Sequence, residues 1–204
     1  MPFILNEDKA LKAALSGITV SDSGNPTRPV GVWFGQPDPE IRFQSYPYIT
    51  IDLINMTIDS EREMRGEWYF RPGEDKYSPE GTTDGQDYRS SLPIPVYLDY
   101  QVTTYARQPR HDRQIMYELS KTSRIPFRFG GLVIPEDRSI RRMDLIGFAK
   151  RDTTEQDKRL FRNVYTVRIS SEIFQKEFAD VYKVTQNPNI DITYTATPFE
   201  TIQL

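Results

Sequence analysis

The sequence predicts an α+β fold: a mixed, largely antiparallel sheet with helices packed on one face and a long acidic loop. Three observations carry that expectation. Residues 95–105 alternate as a strand does, with Val96, Leu98, Tyr100 and Val102 on one side and Tyr97, Asp99, Gln101 and Thr103 on the other. Apolar residues recur at helical spacing in two short stretches, Leu11, Ala14 and Leu15 and then Ile115, Met116 and Leu119. Between residues 59 and 92, nine acids stand against five bases, and Pro72, Gly73, Pro79, Gly81 and Gly85 break any regular element.

Taken in order, Asn6 is a candidate N-cap and Glu7 and Asp8 suit the positive end of a helix dipole, so residues 6–16 are expected to be helical up to Gly17. Gly24, Asn25, Pro26 and Pro29 mark a loop before a brief strand over 30–34. Residues 48–56 alternate and are rich in β-branched side chains, which predicts a strand. Residues 67–71 have strand composition, and residues 72–92 read as a long, acidic, hydrated loop that proteases should cut first. Pro109 suits a first helical turn, giving a helix from about 109 to 121. Strands are expected over 126–134, 141–150 and 162–171, with Gly130-Gly131 marking a bulge or bend in the first. Residues 173–185 fit either helix or strand, and 190–195 fit a last strand. The expected organisation is a single α+β domain over 1–204 with an excursion at about 57–92.

Composition narrows the function. The chain has 204 residues, and although only 37% are hydrophobic, 12 Tyr, 11 Phe and 2 Trp supply enough large apolar surface for a core. A net charge of -3 and a pI near 5.4 argue against a protein that mainly neutralises nucleic-acid phosphates. With no cysteine there is no disulfide, thiolate zinc site or cysteine nucleophile. The start lacks a basic leader with an apolar core, and no apolar run reaches the roughly 20 residues of a membrane helix, so folding in the cytoplasm without a membrane partner is expected.

Candidate chemistry is sparse. His111 is the single histidine, set among Arg110, Asp112 and Arg113, and reads as a surface residue in a basic first turn. No phosphate-binding Gly-Lys loop, dinucleotide glycine pattern or Gly-x-Ser-x-Gly elbow is present. Glu74, Asp75, Glu80, Asp84 and Asp87 lack the spacing of a calcium loop and read as solvated. Asp152, Glu155 and Asp157, with Lys158, could be proposed as ligands of a metal-dependent hydrolase, but their surroundings look like a hairpin turn. Arg124, Phe127, Arg128 and Phe129 resemble a small stacking platform for nucleic acid, though strand packing explains them more simply. The expectation is a protein without catalytic residues, cofactor or metal.

Charge is segregated instead. Residues 1–105 hold 16 acids and 9 bases, or -7, whereas residues 106–168 hold 8 acids and 15 bases, or +7. Such a chain can complement a second copy of itself head to tail. The candidate interface comprises Arg107, Arg110, Arg113, Arg128, Arg141 and Arg142 against Glu74, Asp75, Asp84 and Asp87.

From Pro93 to Leu119 the chain reads PIPVYLDYQVTTYARQPRHDRQIMYEL, and upstream Ser45 to Ile51 reads SYPYITI. These segments resemble the strand, turn and helix of bacteriophage tail-terminator and head-to-tail joining (neck) proteins. The resemblance implies a non-enzymatic α+β virion subunit, assembled in the host cytoplasm. It would form a ring, of six copies, that ends the tail tube or sheath and meets the head connector. Tube, sheath or neck proteins would be its partners, and passing DNA would be touched only in transit. The acidic loop exceeds what such proteins carry and leaves tail-tube and baseplate subunits as alternatives.

Overall fold

The computed structural model describes residues 4–22, 27–37, 46–70, 88–127, 130–136, 139–155, 158–173 and 182–183. The chain divides into two units, Met1–Met64 with Pro93–Ile173, and Arg65–Leu92 with Phe174–Leu204.

The first unit is built on a curved mixed sheet. Its strands run in the order β3 (Gly31–Phe34), β4 (Tyr48–Ile58), β7 (Ile94–Ala106), β11 (Lys158–Ile173), β9 (Ser139–Lys150) and β8 (Gly130–Ile134). β3 runs parallel to β4, and every other neighbouring pair is antiparallel. β10 (Thr153–Glu155) folds back on β11 as a hairpin, and β1 (Thr19–Val20) pairs with β2 (Arg28–Pro29). Helix α1 (Leu5–Leu15) packs against both β8 and β3, the two ends of the strand order, so the sheet wraps it as a half-barrel. Helix α2 (Pro109–Leu119) packs on β7, β11 and β1.

Alternation along the central strands builds the core. Val96, Leu98, Tyr100 and Val102 of β7 and Tyr165, Val167 and Ile169 of β11 are buried together with Leu11 and Leu15 of α1 and Ile115 and Leu119 of α2. Burying one such aliphatic side chain stabilises by roughly 1.5–3 kcal/mol. The opposite side of β7 is closed too. Tyr105 stacks on Tyr48 with ring centroids 4.7 Å apart, and Leu160 joins them. Tyr48 of β4 and Leu160 of β11 thus cover this side of β7 at Tyr105.

Several local expectations shift for physical reasons. Asn6 does not cap α1: Ile4 holds that position at φ 73°, no side chain caps the helix, and Asn6 is buried inside the first turn. Gly17 ends the helix at φ 76°, a left-handed conformation that a side chain disfavours. The guanidinium of Arg124 then donates to the carbonyls of Ala14 at 3.0 Å and Ser16 at 2.8 Å, closing the helix C-terminus. Pro126 crosses so close to Gly130 that a Cβ there would lie 1.9 Å from the proline ring, which explains the glycine better than a bulge does.

The second unit contains β5 (Glu67–Phe70), β6 (Tyr88–Ser91) and β12 (Tyr182–Lys183), in the order β12-β6-β5 and antiparallel. Residues 88–91 are therefore strand rather than the end of a loop, because Glu67 to Phe70 offers them an antiparallel partner. The remainder of the expected acidic loop, most of 173–185 and the expected strand at 190–195 lie outside the described residues.

Candidate protein-binding edge

β4 changes character halfway along its length. Over Tyr48–Ile51 it is paired on both sides, by β3 and by β7, and those four residues are buried. β3 stops at Phe34, where Gly35 turns at φ 67° and donates its N–H to the Ile51 carbonyl at 3.1 Å. From Leu53 to Ile58, among the described residues, β4 keeps only β7 beside it. Exposure changes at the same point: Leu53 is 42%, Ile54 52%, Met56 49% and Ile58 63% exposed.

A bulge between Leu53 and Asn55 absorbs Ile54, and the register then sets Met56 opposite Leu98 and Ile58 opposite Val96. Met56 and Ile58 thus extend the core face of the sheet past the end of its cover. An edge that offers unpaired backbone groups beside an apolar strip is a ready template for another strand. The far end of the sheet has a second such edge. β8 pairs with β9 on one side, among the described residues no strand lies on its other side, and Val133 and Ile140 stand 59% and 73% exposed there.

Polar groups lock the sheet behind these edges. Asp99 receives two hydrogen bonds from Arg168, at 2.7 and 3.0 Å, and the Arg168 guanidinium lies 5.0 Å from the Tyr97 ring centre. Just past β4, Asp59 accepts from the backbone N–H groups of Glu61 and Arg62 and pairs with the Arg62 side chain. The Arg62 hydrogen bond first, and then that from Tyr97, hold the Asp59 carboxyl down at about 2. Near α2, buried Asp112 accepts from Lys150 at 2.8 Å and Asn163 at 2.6 Å. The composition gave no hint of this cluster.

The predicted site residues are placed as follows. His111 is buried rather than superficial, 4% exposed, with Nε2 lying 2.8 Å from an Asp22 carboxylate oxygen but not aligned for a hydrogen bond. It turns inward because His111, Ile115 and Leu119 share one stripe of α2. Arg110 and Arg113 are exposed, and Arg107 lies 4.7 Å over the Tyr46 ring. Arg141 pairs with Glu172 at 2.9 Å and Arg142 with Asp144 at 2.7 Å. Arg128, Glu74, Asp75, Asp84 and Asp87 lie outside the described residues.

Asp152 sits at the base of the β10–β11 hairpin, 3.1 Å from Arg159 and 3.4 Å from Lys150. Burial pushes its carboxyl up, yet Arg159, the Arg162 N–H and Lys150 together hold it below the usual range. Glu155 closes β10 opposite Lys158, while Asp157 is outside the described residues. Among the described residues no three histidine, aspartate or glutamate side chains cluster as metal ligands, and no helix is long and apolar enough to cross a membrane. Of the stacking platform, Arg124 is committed to the end of α1 and Phe127 is exposed.

No family model matches the chain, and no curated protein does. Among solved structures, it is similar to the sheath/tube terminator of an extracellular contractile injection system, PVC, in its extended state. The two share 15% sequence identity at a TM-score of 0.38, over 100% of this chain and 66% of that one. This chain thus spans just under two thirds of that protein's length.

Proposed function

We propose that the protein is a non-enzymatic structural subunit of a tail-like assembly, a tail-terminator or neck component. It binds copies of itself in a ring, of six subunits, and also neighbouring tube or sheath proteins. The observation that carries this reading is the open half of β4, where Leu53, Ile54, Met56 and Ile58 are exposed beside a strand edge that has no partner among the described residues. Monomeric proteins blunt such edges with charge, proline or a covering segment, and among the described residues Leu53–Ile58 has only Asn55 and Thr57 between its apolar side chains. The resemblance of residues 93–119 and 45–51 to tail-terminator and neck proteins supports the particular assembly. The opposite charges of residues 1–105 and 106–168 support association of like copies.

Sedimentation velocity and negative-stain microscopy over a concentration series test this. Rings, or binding of the subunit to purified tail tubes, are expected, and both should be lost in Ile54→Lys/Met56→Lys while the fold is kept, since both side chains already face solvent. A wild-type protein that stays monomeric at every concentration and also fails to bind tubes would overturn the reading.

A further inference from the structure

We propose that copies of this chain join by strand addition, the free edge of β8 in one copy pairing in parallel with Leu53–Ile58 of β4 in the next. This rests on the reading of the chain as a self-assembling subunit and names the contact. Strand direction comes first. Following the pairings from β4 through β7, β11 and β9, direction reverses four times, so β8 points the same way as β4. A rotation about an axis along the strands preserves direction, so neighbours around such an axis present β8 to β4 in parallel. The open part of β4 already accepts that polarity, because β3 runs parallel along the same edge and stops at Phe34. A five-residue β8 fits the six-residue lane that β3 leaves vacant.

Side chains match as well. Between α1 and β8 lies a groove of about 470 Å³, lined by Ala10, Ala13, Ala14, Leu132, Val133 and Met143 among others. The short side chains of the alanines leave room in this groove for larger ones. Met56 and Ile58, exposed on the core face of β4, are the apolar groups that a neighbouring β8 would bring to it.

Charge decides between this contact and its main competitor, a twofold pairing of β4 with β4. The segment from Asp52 to Glu63 carries four acids and one base, a net -3, which a twofold contact would set against itself. The segment from Gly130 to Met143 carries two acids and three bases, a net +1. Like charge across the first pairing disfavours it, and the second avoids that repulsion, since Arg141 and Arg142 are paired with Glu172 and Asp144 and the β8 side carries little net charge of its own.

The chain has no cysteine, so single replacements report contacts without background. Thr57→Cys and Val133→Cys proteins, mixed and oxidised, should form a disulfide-linked pair, and the double variant should give a ladder of covalent oligomers. Thr57→Cys alone should not cross-link. Independently, Ala13→Trp fills the groove without touching β4 and should weaken association at least tenfold, with the circular dichroism spectrum unchanged. Rings that assemble normally in Ala13→Trp and give no link between positions 57 and 133, or a Thr57→Cys protein that links to itself, would overturn the contact while leaving the assembly reading intact. A chain that neither oligomerises nor binds tubes would remove the assembly reading itself.

Discussion

Asp59 shows how one carboxylate couples the end of a strand to solution pH. Its folded value lies near 2 against an ordinary 3.8, because Arg62 and then Tyr97 bond to the ionised form. A group lowered on folding contributes stability that is fully present above its unfolded value and is lost as pH falls through the folded one. The urea midpoint of the wild type should therefore fall between about pH 4 and about pH 2, and Asp59→Asn should flatten that part of the profile. An unchanged acid limb in the variant would show that Asp59 does not supply it. Asp112 tests burial rather than pH. It is 2% exposed and serves Lys150 and the fully buried Asn163, so Asp112→Ala leaves the buried amide with only its longer bond to Thr104, at 3.3 Å, at a cost of about 1–3 kcal/mol. Lys150 reaches solvent and keeps the loss at the lower end, and adding Asn163→Leu should recover part of it in equilibrium denaturation.

At the scale of elements, α1 depends on its ends as much as on its apolar stripe. Gly17 has open space around a would-be Cβ, so Gly17→Ala meets no clash, and its effect is conformational: about 1–2 kcal/mol for a left-handed residue, read from thermal denaturation. The contrast with Gly130, where Pro126 occupies the Cβ position, separates the two uses of glycine. Gly17 was legible in the sequence because a glycine after an apolar stripe is a local signal. The long strands were legible for the same reason: alternation over 95–105 and 162–171 is carried by the residues themselves, and β7 and β11 cover both stretches. Asn6 and His111 were misread because their settings are tertiary. The turn before α1 lets Ile4 take the cap position, and the packing of α2 on β7 and β1 turns His111 inward. The 88–91 strand was hidden by acid and proline content upstream, since strand formation there depends on a partner some twenty residues earlier. The open edge of β4 was invisible for a related reason. A run such as Leu53-Ile-Asn-Met-Thr-Ile58 reads as an ordinary strand, and the early stop of β3 leaves its second half, among the described residues, with a strand on one side only.

At the scale of the molecule, apolar edge and segregated charge would play different parts in the proposed assembly. Exposed ion pairs contribute only about 0–1 kcal/mol each, and Arg141, Arg142 and Lys150 are already engaged with acids of their own chain. In the proposed assembly charge would therefore act chiefly before contact, by steering the -7 segment of one copy toward the +7 segment of another, and such steering is screened over about 8 Å at physiological ionic strength. Once Leu53, Ile54, Met56 and Ile58 are covered, what holds the contact is buried apolar area at roughly 25 cal/mol per Å² together with backbone pairing, neither of which salt weakens. Raising sodium chloride from about 0.05 to 0.5 M should accordingly slow assembly followed by light scattering by an order of magnitude or more, while finished rings diluted into the same salt persist. The Ile54→Lys/Met56→Lys variant should show the opposite pattern, forming encounter complexes that do not last. Rings that dissolve in salt would mean that ion pairs hold the assembly, and the exposed edge of β4 would then need another occupant.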